Sequence, residues 1–453
     1  MSLVDEFWKA QRGEQFLLVG FSDLTGLATA KLFSKMGVAF KISDSKPLSE
    51  LEPQLAALPV RPSDVFSGPQ EPAQLEGVTQ VVLSPGVPRA IPLIREASAR
   101  GIPVWSDYDF FYPLYANKRI AAVTGTDGKT TTTTLLGHLL KPHRSVVVAG
   151  NIGVPIAAIY DELLRSDVVV LELSSFMLED VKRFRADVST VLNIAEDHVD
   201  RYRSMDEYVE TKRNVLRFAR PGDAFVKNLD DGRIASWELG HLEVRTVSRR
   251  VCTADARVFP GGLAVLGAKL PLNALKIRGA HLIDDVLTAA LMATSLGVPA
   301  AQGLALAGTF AGVPHRFEYA GTLSGVDVID DSKATSVQAV NSALESLKGR
   351  TVVLILGGQD KHLDPTALDA HSAHLRSVVG YGEAGRRLLS AFSTVPTHYV
   401  ADFAGAVKLA CGLVRGNDVL LLSPVGTSFD QHRDYRERGE TFRALARMHL
   451  SVT

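Results

Sequence analysis

Thr124 Gly125 Thr126 Asp127 Gly128 Lys129 Thr130 Thr131 follows the apolar run Arg119 to Val123 and precedes Leu135, Leu136, Leu139 and Leu140, which recur at helical spacing. The pattern predicts a strand, a glycine loop and a helix. Such a loop presents backbone N–H groups at the positive end of a helix dipole, which suits phosphate; the lysine adds a point charge, and the hydroxyl after it is a Mg²⁺ ligand. The strict P-loop spacing needs glycine at position 123, where this chain has Val123, so the loop is a variant with a shorter gap between its glycines. A plain strand-to-helix turn explains the glycines but not the run Gly128 Lys129 Thr130 Thr131.

The chain is 453 residues long, 46% hydrophobic and 22% charged, enough to bury several cores in roughly two to four domains. Its 49 Lys and Arg against 50 Asp and Glu leave a net charge of -1. No basic field exists to attract nucleic acid or anionic lipid, so an anionic ligand must be held locally. Cys252 and Cys411 are far apart and form no ligand cluster, as in a reducing interior. Met1 to Glu14 lacks the apolar centre of a signal peptide, and no apolar run reaches membrane-spanning length. The expectation is a cytoplasmic monomer with no membrane insertion and no nucleic-acid partner.

Outward from the glycine loop, one device repeats. Arg119 to Val123, Ser145 to Val148, Val168 to Leu171 and Val188 to Leu192 read as strands, each ending in polar residues. These are the glycine loop, Gly150 with Asn151, Glu172 with Ser174 and Ser175, and Asn193 with Glu196, Asp197 and His198. Helical segments between them imply a parallel sheet, which brings the polar ends to one edge. Thr130, Glu172 and His198 there offer oxygen and imidazole ligands of the kind a Mg²⁺ and phosphate site uses.

Before this region, Phe16 to Val19, a Gly20 to Gly26 turn, a Leu27 to Met36 helix and a Val38 to Ile42 strand ending near Asp44 read as a Rossmann-like start. The dinucleotide fingerprint fails at Ser22 and Thr25. Asp44 stands where a ribose or base contact is expected, and Ser84 Pro85 Gly86 forms a tight turn after the strand Val81 to Leu83. After Pro221 the pattern becomes β-rich to about Leu272, and Gly279 to Leu296 reads as an amphipathic helix. Gly312 and Pro314 punctuate a second linker before Arg316, a candidate phosphate clamp. Further strands end at Asp330 to Thr335, at Gly357 Gly358 ahead of Lys361, and at Ser423 to Ser428. The fold class is therefore α/β in three domains: a Rossmann-like domain over 1–118, a central P-loop-type ATPase domain over 119–312 with a mostly parallel sheet and a small β-rich part, and a Rossmann-like C-terminal domain over 313–453.

Gly125 to Thr130, Asn151 Ile152 Gly153, Leu171 to Phe176, Glu196 to Asp200, Tyr208 to Lys212, Pro314 to Glu318, Asp331 to Thr335 and Ser428 to Gln431, in that order, resemble the Mur ligases, the ATP-dependent amide ligases of peptidoglycan synthesis. Leu24 Thr25 Gly26, Ser84 Pro85 Gly86, Leu171 to Phe176 and Ser428 to Gln431 are most similar to the family member that joins D-glutamate to UDP-N-acetylmuramoyl-L-alanine. The resemblance implies ATP and two Mg²⁺ ions as cofactors. It places ATP on Gly125, Thr126, Asp127, Gly128, Lys129, Thr130, Thr131, Arg316 and Asp331, and the UDP substrate on Leu24, Thr25, Asp44, Ser45, Ser84, Pro85, Gly86, Asn151 and Ser174. It gives D-glutamate to Thr335, Lys361, Ser428 and Tyr435, metal to Thr130, Glu172, His198 and Lys212, and catalysis to Lys129, Glu172, His198, Lys212 and Lys333. The Lys212 amine is carbamylated in the family. The chain departs from the family pattern at Asp127, at Met177, at Leu282 and Asp285 within His281 to Asp285, and at Tyr435. Two other readings stay open on the residues alone: another ATP-dependent amide ligase of the superfamily, such as a different Mur ligase or folylpolyglutamate synthase, and a P-loop protein that binds nucleotide as a regulatory switch.

Overall fold

The computed structural model describes residues 2–197, 201–277 and 280–450. His198, Val199 and Asp200 lie outside them, as does Gly279; the helix expected from Gly279 is described as Ala280–Ser295. The chain forms two compact units, Met1–Leu272 with Asp285–Ala307, and Asn273–Asp284 with Gly308–Thr453.

The first unit holds two sheets. One contains β1 (Gln15–Val19), β2 (Ala39–Asp44), β3 (Val65–Ser67), β4 (Gln80–Leu83) and β5 (Val104–Trp105) in the order β3-β2-β1-β4-β5, every pair parallel. The other contains β6 (Arg119–Thr124), β7 (Val146–Gly150), β8 (Val168–Glu172), β9 (Val188–Val191), β10 (Ala224–Asn228), β11 (Glu243–Ser248), β12 (Ala256–Phe259), β13 (Gly262–Val265) and β14 (Ala268–Pro271). Its order is β14-β13-β12-β11-β10-β9-β6-β8-β7, parallel from β7 to β12 and antiparallel only in the β12-β13-β14 meander. The β-rich part expected after Pro221 is thus the flank of the central sheet. β10 and β11 continue its parallel ladder, and only the last strands turn back as short hairpins.

β6 and β8 are continuous apolar runs because both of their faces are covered, as in parallel sheets generally. One apolar core runs from Phe16 and Phe33 through Phe110 and Phe111 to Ile120, Leu171 and Phe184. The helix Leu3–Gln11, an element not among those expected from the sequence, is part of that core. Its Ser2 cap closes on Asp5, it buries Phe7 and Trp8, and Trp8 Nε1 donates to Tyr160 Oη at 2.8 Å.

The second unit holds β15 (Glu318–Leu323), β16 (Val326–Asp330), β17 (Val352–Gly357), β18 (Leu375–Tyr381), β19 (Thr397–Val400) and β20 (Val419–Val425) in the order β15-β16-β20-β17-β18-β19. All pairs are parallel except the β15-β16 hairpin, and each face carries its own apolar core. Among the described residues no helix is long and apolar enough to cross a membrane.

Candidate active site

Strand register brings the polar ends of the central sheet together. Val123 pairs with Glu172, Gly150 with Glu172, and Thr124 with Val191, so the glycine loop, Asn151, Glu172 and Asn193 all leave the sheet at one level. The loop runs from β6 into the helix Lys129–Leu140 and needs both glycines. A Cβ on Gly125 would stand 2.9 Å from Leu192 Cβ; one on Gly128, where φ is 79°, would stand 2.3 Å from Asp285 Oδ1. Asp285 is itself held there by the Thr132 hydroxyl at 2.9 Å. Gly128→Ala is therefore expected to lower stability by about 1–3 kcal/mol, by adding left-handed strain to a carboxylate clash. Thermal unfolding with and without ATP measures it; an unchanged melting temperature together with full nucleotide stabilisation would contradict this account.

The loop's first N–H groups are not free for phosphate. Thr126 N and Asp127 N donate to Asn193 Oδ1 at 3.2 and 2.8 Å, and Asn193 Nδ2 returns a bond to the Asp127 carbonyl. Asn193 thus sets the loop's shape, a role its place at a strand end hints at but does not specify. Asp127 is exposed and engages this network through its backbone, so its unexpected carboxylate does not disturb the loop's hydrogen bonding. The N–H groups of Lys129, Thr130 and Thr131 stand in the first helical turn, without acceptors inside the helix. Lys129 Nζ lies over the loop, donating to the Gly125 and Thr126 carbonyls at 2.9 and 2.7 Å.

Lys212 reaches the same loop from below. Its helix, Met205–Arg213, is capped by Ser204, and the amine, 1% exposed, donates to the Gly125 carbonyl at 2.7 Å beside the Tyr208 ring. Burial, helped by the nearby Lys129 charge, pushes this amine down to about 6, although Asp197 and Asp127 pull the other way. A surface lysine would keep its charge; this one is a neutral amine near pH 7. Glu172, also 1% exposed, accepts from Asn151 Nδ2 at 2.7 Å through Oε1, while its Oε2 is buried with no partner. A buried carboxylate oxygen left in this state is costly unless a cation completes it. With the buried Thr130 hydroxyl, the donors are hard oxygens that fit Mg²⁺.

Strand ends of the two sheets of this unit meet at a cavity of about 260 Å³. Leu24, Thr25, Pro85, Gly86 and Asn151 line it, and so does Asp107, which no sequence motif singled out. The turns that bring them there are tightly set. Ser84 Oγ donates to the Gly20 carbonyl at 2.8 Å, and a Cβ on Gly26 would meet that carbonyl oxygen at 2.3 Å. Gly20 and Gly26, which stand without the other glycines of a dinucleotide fingerprint, are thus required by close approach. Asp44 is buried and accepts from Ser22 N and Lys46 N, which fixes the same turn; Ser45 beside it is exposed. The Ser174 hydroxyl caps the helix Ser175–Leu178 by accepting from Met177 N. Glu179, just beyond, is clasped by Arg201 at 2.6 and 2.9 Å, and Arg201 also reaches the Val87 carbonyl after the Ser84 Pro85 Gly86 turn. This tie joins the two sheets' loops and had no signal in the sequence pattern.

The second unit gathers another set at the ends of β16, β17 and β20. Asp331 accepts from Phe317 N and from the Ser423 hydroxyl, and burial pushes its carboxyl up to about 7. Lys333 stands over the Tyr435 ring at 4.2 Å, and Lys361 Nζ donates to the Thr335 carbonyl at 2.7 Å. Ser428 is buried. Arg316 lies between two left-handed residues, His315 and Phe317, and the His315 ring is fixed on Asp330 at 2.8 Å. Fully buried Arg438 ties this set together, donating to Ser332 Oγ, Ser332 O and Gly426 O. Its sequence position inside the helix Tyr435–Leu450 gives no sign of that.

Three family models cover most of the chain: a Mur ligase MurD-like N-terminal domain over 14–106, a Mur ligase middle domain over 123–258, and a Mur ligase glutamate ligase domain over 315–426. The UDP-N-acetylmuramoylalanine--D-glutamate ligase of Solibacter usitatus is 36% identical over 440 residues, 96% of this chain and 98% of that protein. The chain belongs to the Mur ligase family. The enzyme of the same name from Anaeromyxobacter dehalogenans is 34% identical over 96% of this chain and 98% of its own length. Among solved structures, MurF ligase from Thermotoga maritima in complex with ADP superimposes with a TM-score of 0.63 at 17% identity, covering 94% of this chain and 99% of that one. UDP-N-acetylmuramate-alanine ligase MurC from the same organism gives 0.59 at 19% identity, over 97% of this chain and all 100% of that one. These two share the Mur ligase fold across a sequence distance at which only the architecture is comparable.

Proposed function

We propose that this chain is an ATP-dependent ligase that joins D-glutamate to UDP-N-acetylmuramoyl-L-alanine in peptidoglycan precursor synthesis, acting as a cytoplasmic monomer. Its three domains are taken as 1–118 for the UDP substrate, 119–312 for ATP and 313–453 for the amino acid. The observation that carries the reading is the single strand edge on which a phosphate loop, a buried acid with an unpartnered oxygen and a buried neutral lysine meet. Near full-length relatives named for this reaction support it.

A carboxylate is a poor electrophile, so amide formation first needs a leaving group. The alanine carboxylate attacks the γ-phosphorus of ATP, the bond to the bridging oxygen breaks, and ADP departs. The D-glutamate amine then adds to the acyl phosphate, and the tetrahedral intermediate expels phosphate as the amine loses a proton. Lys129 and the first-turn N–H groups hold the ATP phosphates and spread their charge, while Arg316 adds a second cation. The Leu24 to Thr25 and Ser84 to Gly86 turns orient the UDP substrate, with Asn151 and Ser174 towards its sugar and alanine. Lys333, Thr335, Lys361, Ser428 and Tyr435 take D-glutamate and the reacting carboxylate, and Asp331 touches the nucleotide. Thr130 and Glu172 would hold a Mg²⁺ ion and His198 and Lys212 a second one, and these would supply charge neutralisation when bound. An ammonium at Lys212 would repel such an ion. The neutral amine can add to CO2 and lose a proton, which gives a carbamate with anionic oxygens.

The test is phosphate release from ATP. It is expected only when UDP-N-acetylmuramoyl-L-alanine and D-glutamate are both present, with D-glutamate preferred over L-alanine and L-lysine. Release that persists when either substrate is omitted would refute the assignment.

A further inference from the structure

Asp107 follows β5 at the start of the short helix Asp107–Phe110, is 1% exposed, and lines the cavity shared with Leu24, Thr25, Gly86 and Asn151. Backbone N–H groups of Tyr108 and Ile156 approach its carboxyl, yet Oδ1 is buried without a hydrogen-bond partner. Burial pushes the group up to about 6, so at neutral pH it is mainly a carboxylate kept in an unfavourable place. A purely structural acid at this point would have both oxygens satisfied.

The chemistry of the cavity wall says what such an acid could bind. No Lys, Arg or His is among the described residues that line it, and Asp23 is a second acid there. Asn151 spends an amide hydrogen on Glu172, which leaves its carbonyl as an acceptor. The N–H groups of Leu24 and Thr25, which open the helix Leu24–Met36 without a side-chain cap, supply donors on one side of the cavity, whereas Asp107 presents an acceptor that repels phosphate oxygens. Amide N–H and hydroxyl groups match it.

We propose that Asp107 is a specificity-determining residue of the UDP-substrate cavity, accepting a hydrogen bond from an amide N–H or a hydroxyl of the acylated-sugar part of the substrate. This rests on the ligase reading above. In this arrangement the uridine diphosphate contributes affinity without discriminating at this point, and Asp107 reads the part that carries the reacting carboxylate. A site built to accept such a bond rejects a ligand that cannot make it, because the buried acceptor then stays unpaired.

Asp107→Asn tests it well. The amide keeps one carbonyl oxygen for the backbone N–H groups but puts a donor in place of Oδ1. Calorimetry with UDP and with UDP-N-acetylmuramoyl-L-alanine on the full chain should show UDP affinity unchanged and affinity for the complete substrate lowered by about tenfold. The KM for that substrate should rise with it, while the KM values for ATP and D-glutamate hold. Equal losses for both ligands, or none for either, would show that Asp107 serves only the loop and would overturn the proposal. A native chain that binds no UDP-N-acetylmuramoyl-L-alanine would instead overturn the ligase reading. Should the variant fail to fold, a crystal structure of the native chain with the complete substrate decides the matter: a substrate N–H or O–H within hydrogen-bond distance of Asp107 supports the proposal, and a carboxyl touching no substrate donor ends it.

Discussion

Lys212→Ala is expected to lower substrate-dependent phosphate release by at least about a hundredfold, and short carboxylic acids such as formate or acetate are expected to restore part of it. The reasoning is electrostatic. The amine sits 1% exposed under the glycine loop, and burial holds it down to about 6, so near pH 7 it is neutral and able to form a carbamate. Alanine removes that anion but leaves a space that a small carboxylate can enter. The same depressed pKa fixes a stability signature in CO2-free buffer. Between about 6 and the ordinary lysine range the unfolded chain binds a proton that the folded chain does not, so native stability rises with pH across this window. The alanine variant should lose that slope. Chemical denaturation at pH 7 and 9 reads it, and equal slopes in the two proteins, or no rescue by any acid tested, would remove the case for a buried, carbamylated lysine.

Glu172→Gln should move activity and stability in opposite directions. The amide can still accept from Asn151, as Oε1 now does at 2.7 Å, but it removes the charge of a carboxylate whose second oxygen is buried and unpartnered. Without metal, deleting an uncompensated buried charge should raise the melting temperature by about 1–2 °C. With ATP and both substrates, phosphate release should fall by about a hundredfold or more, and the Mg²⁺ concentration for half-maximal rate should rise. Calorimetric melting in chelator and a Mg²⁺ titration of the rate measure the two effects. Native-like activity at ordinary Mg²⁺ would show that Glu172 only anchors Asn151.

Much of the strand edge was legible because parallel strands separated by helices must end on the same side. Glu172 and Asn193 could therefore be placed beside the glycine loop from order alone, and register pairs 123 with 172 and 124 with 191. Side-chain burial was not legible in this way. The helix of Lys212 is polar overall, with Glu207, Glu210 and Arg213, yet Met205, Tyr208 and Val209 stand at helical spacing on the lysine's own face, a stripe that marks the buried side without showing that the amine itself is desolvated. Asp107 and Arg438 carried no motif, because their roles depend on segments distant in sequence. The helix Leu3–Gln11 was missed for a related reason. It is short, and Trp8 acquires its partner Tyr160, and Phe7 its partners Phe110 and Phe111, only once the chain has folded.

The sequence by itself determined the α/β class, the repeated strand-to-polar-end device, the phosphate loop and the family resemblance. These are encoded in local spacing and in the order of motifs. Only the tertiary structure decided which of the charged groups are neutral or unpartnered, and that the required glycines mark close approaches rather than a dinucleotide fold. It also placed Asp107 on the cavity wall. Desolvation and hydrogen-bond satisfaction depend on what surrounds a side chain in three dimensions, and residues far apart in the chain supply those surroundings.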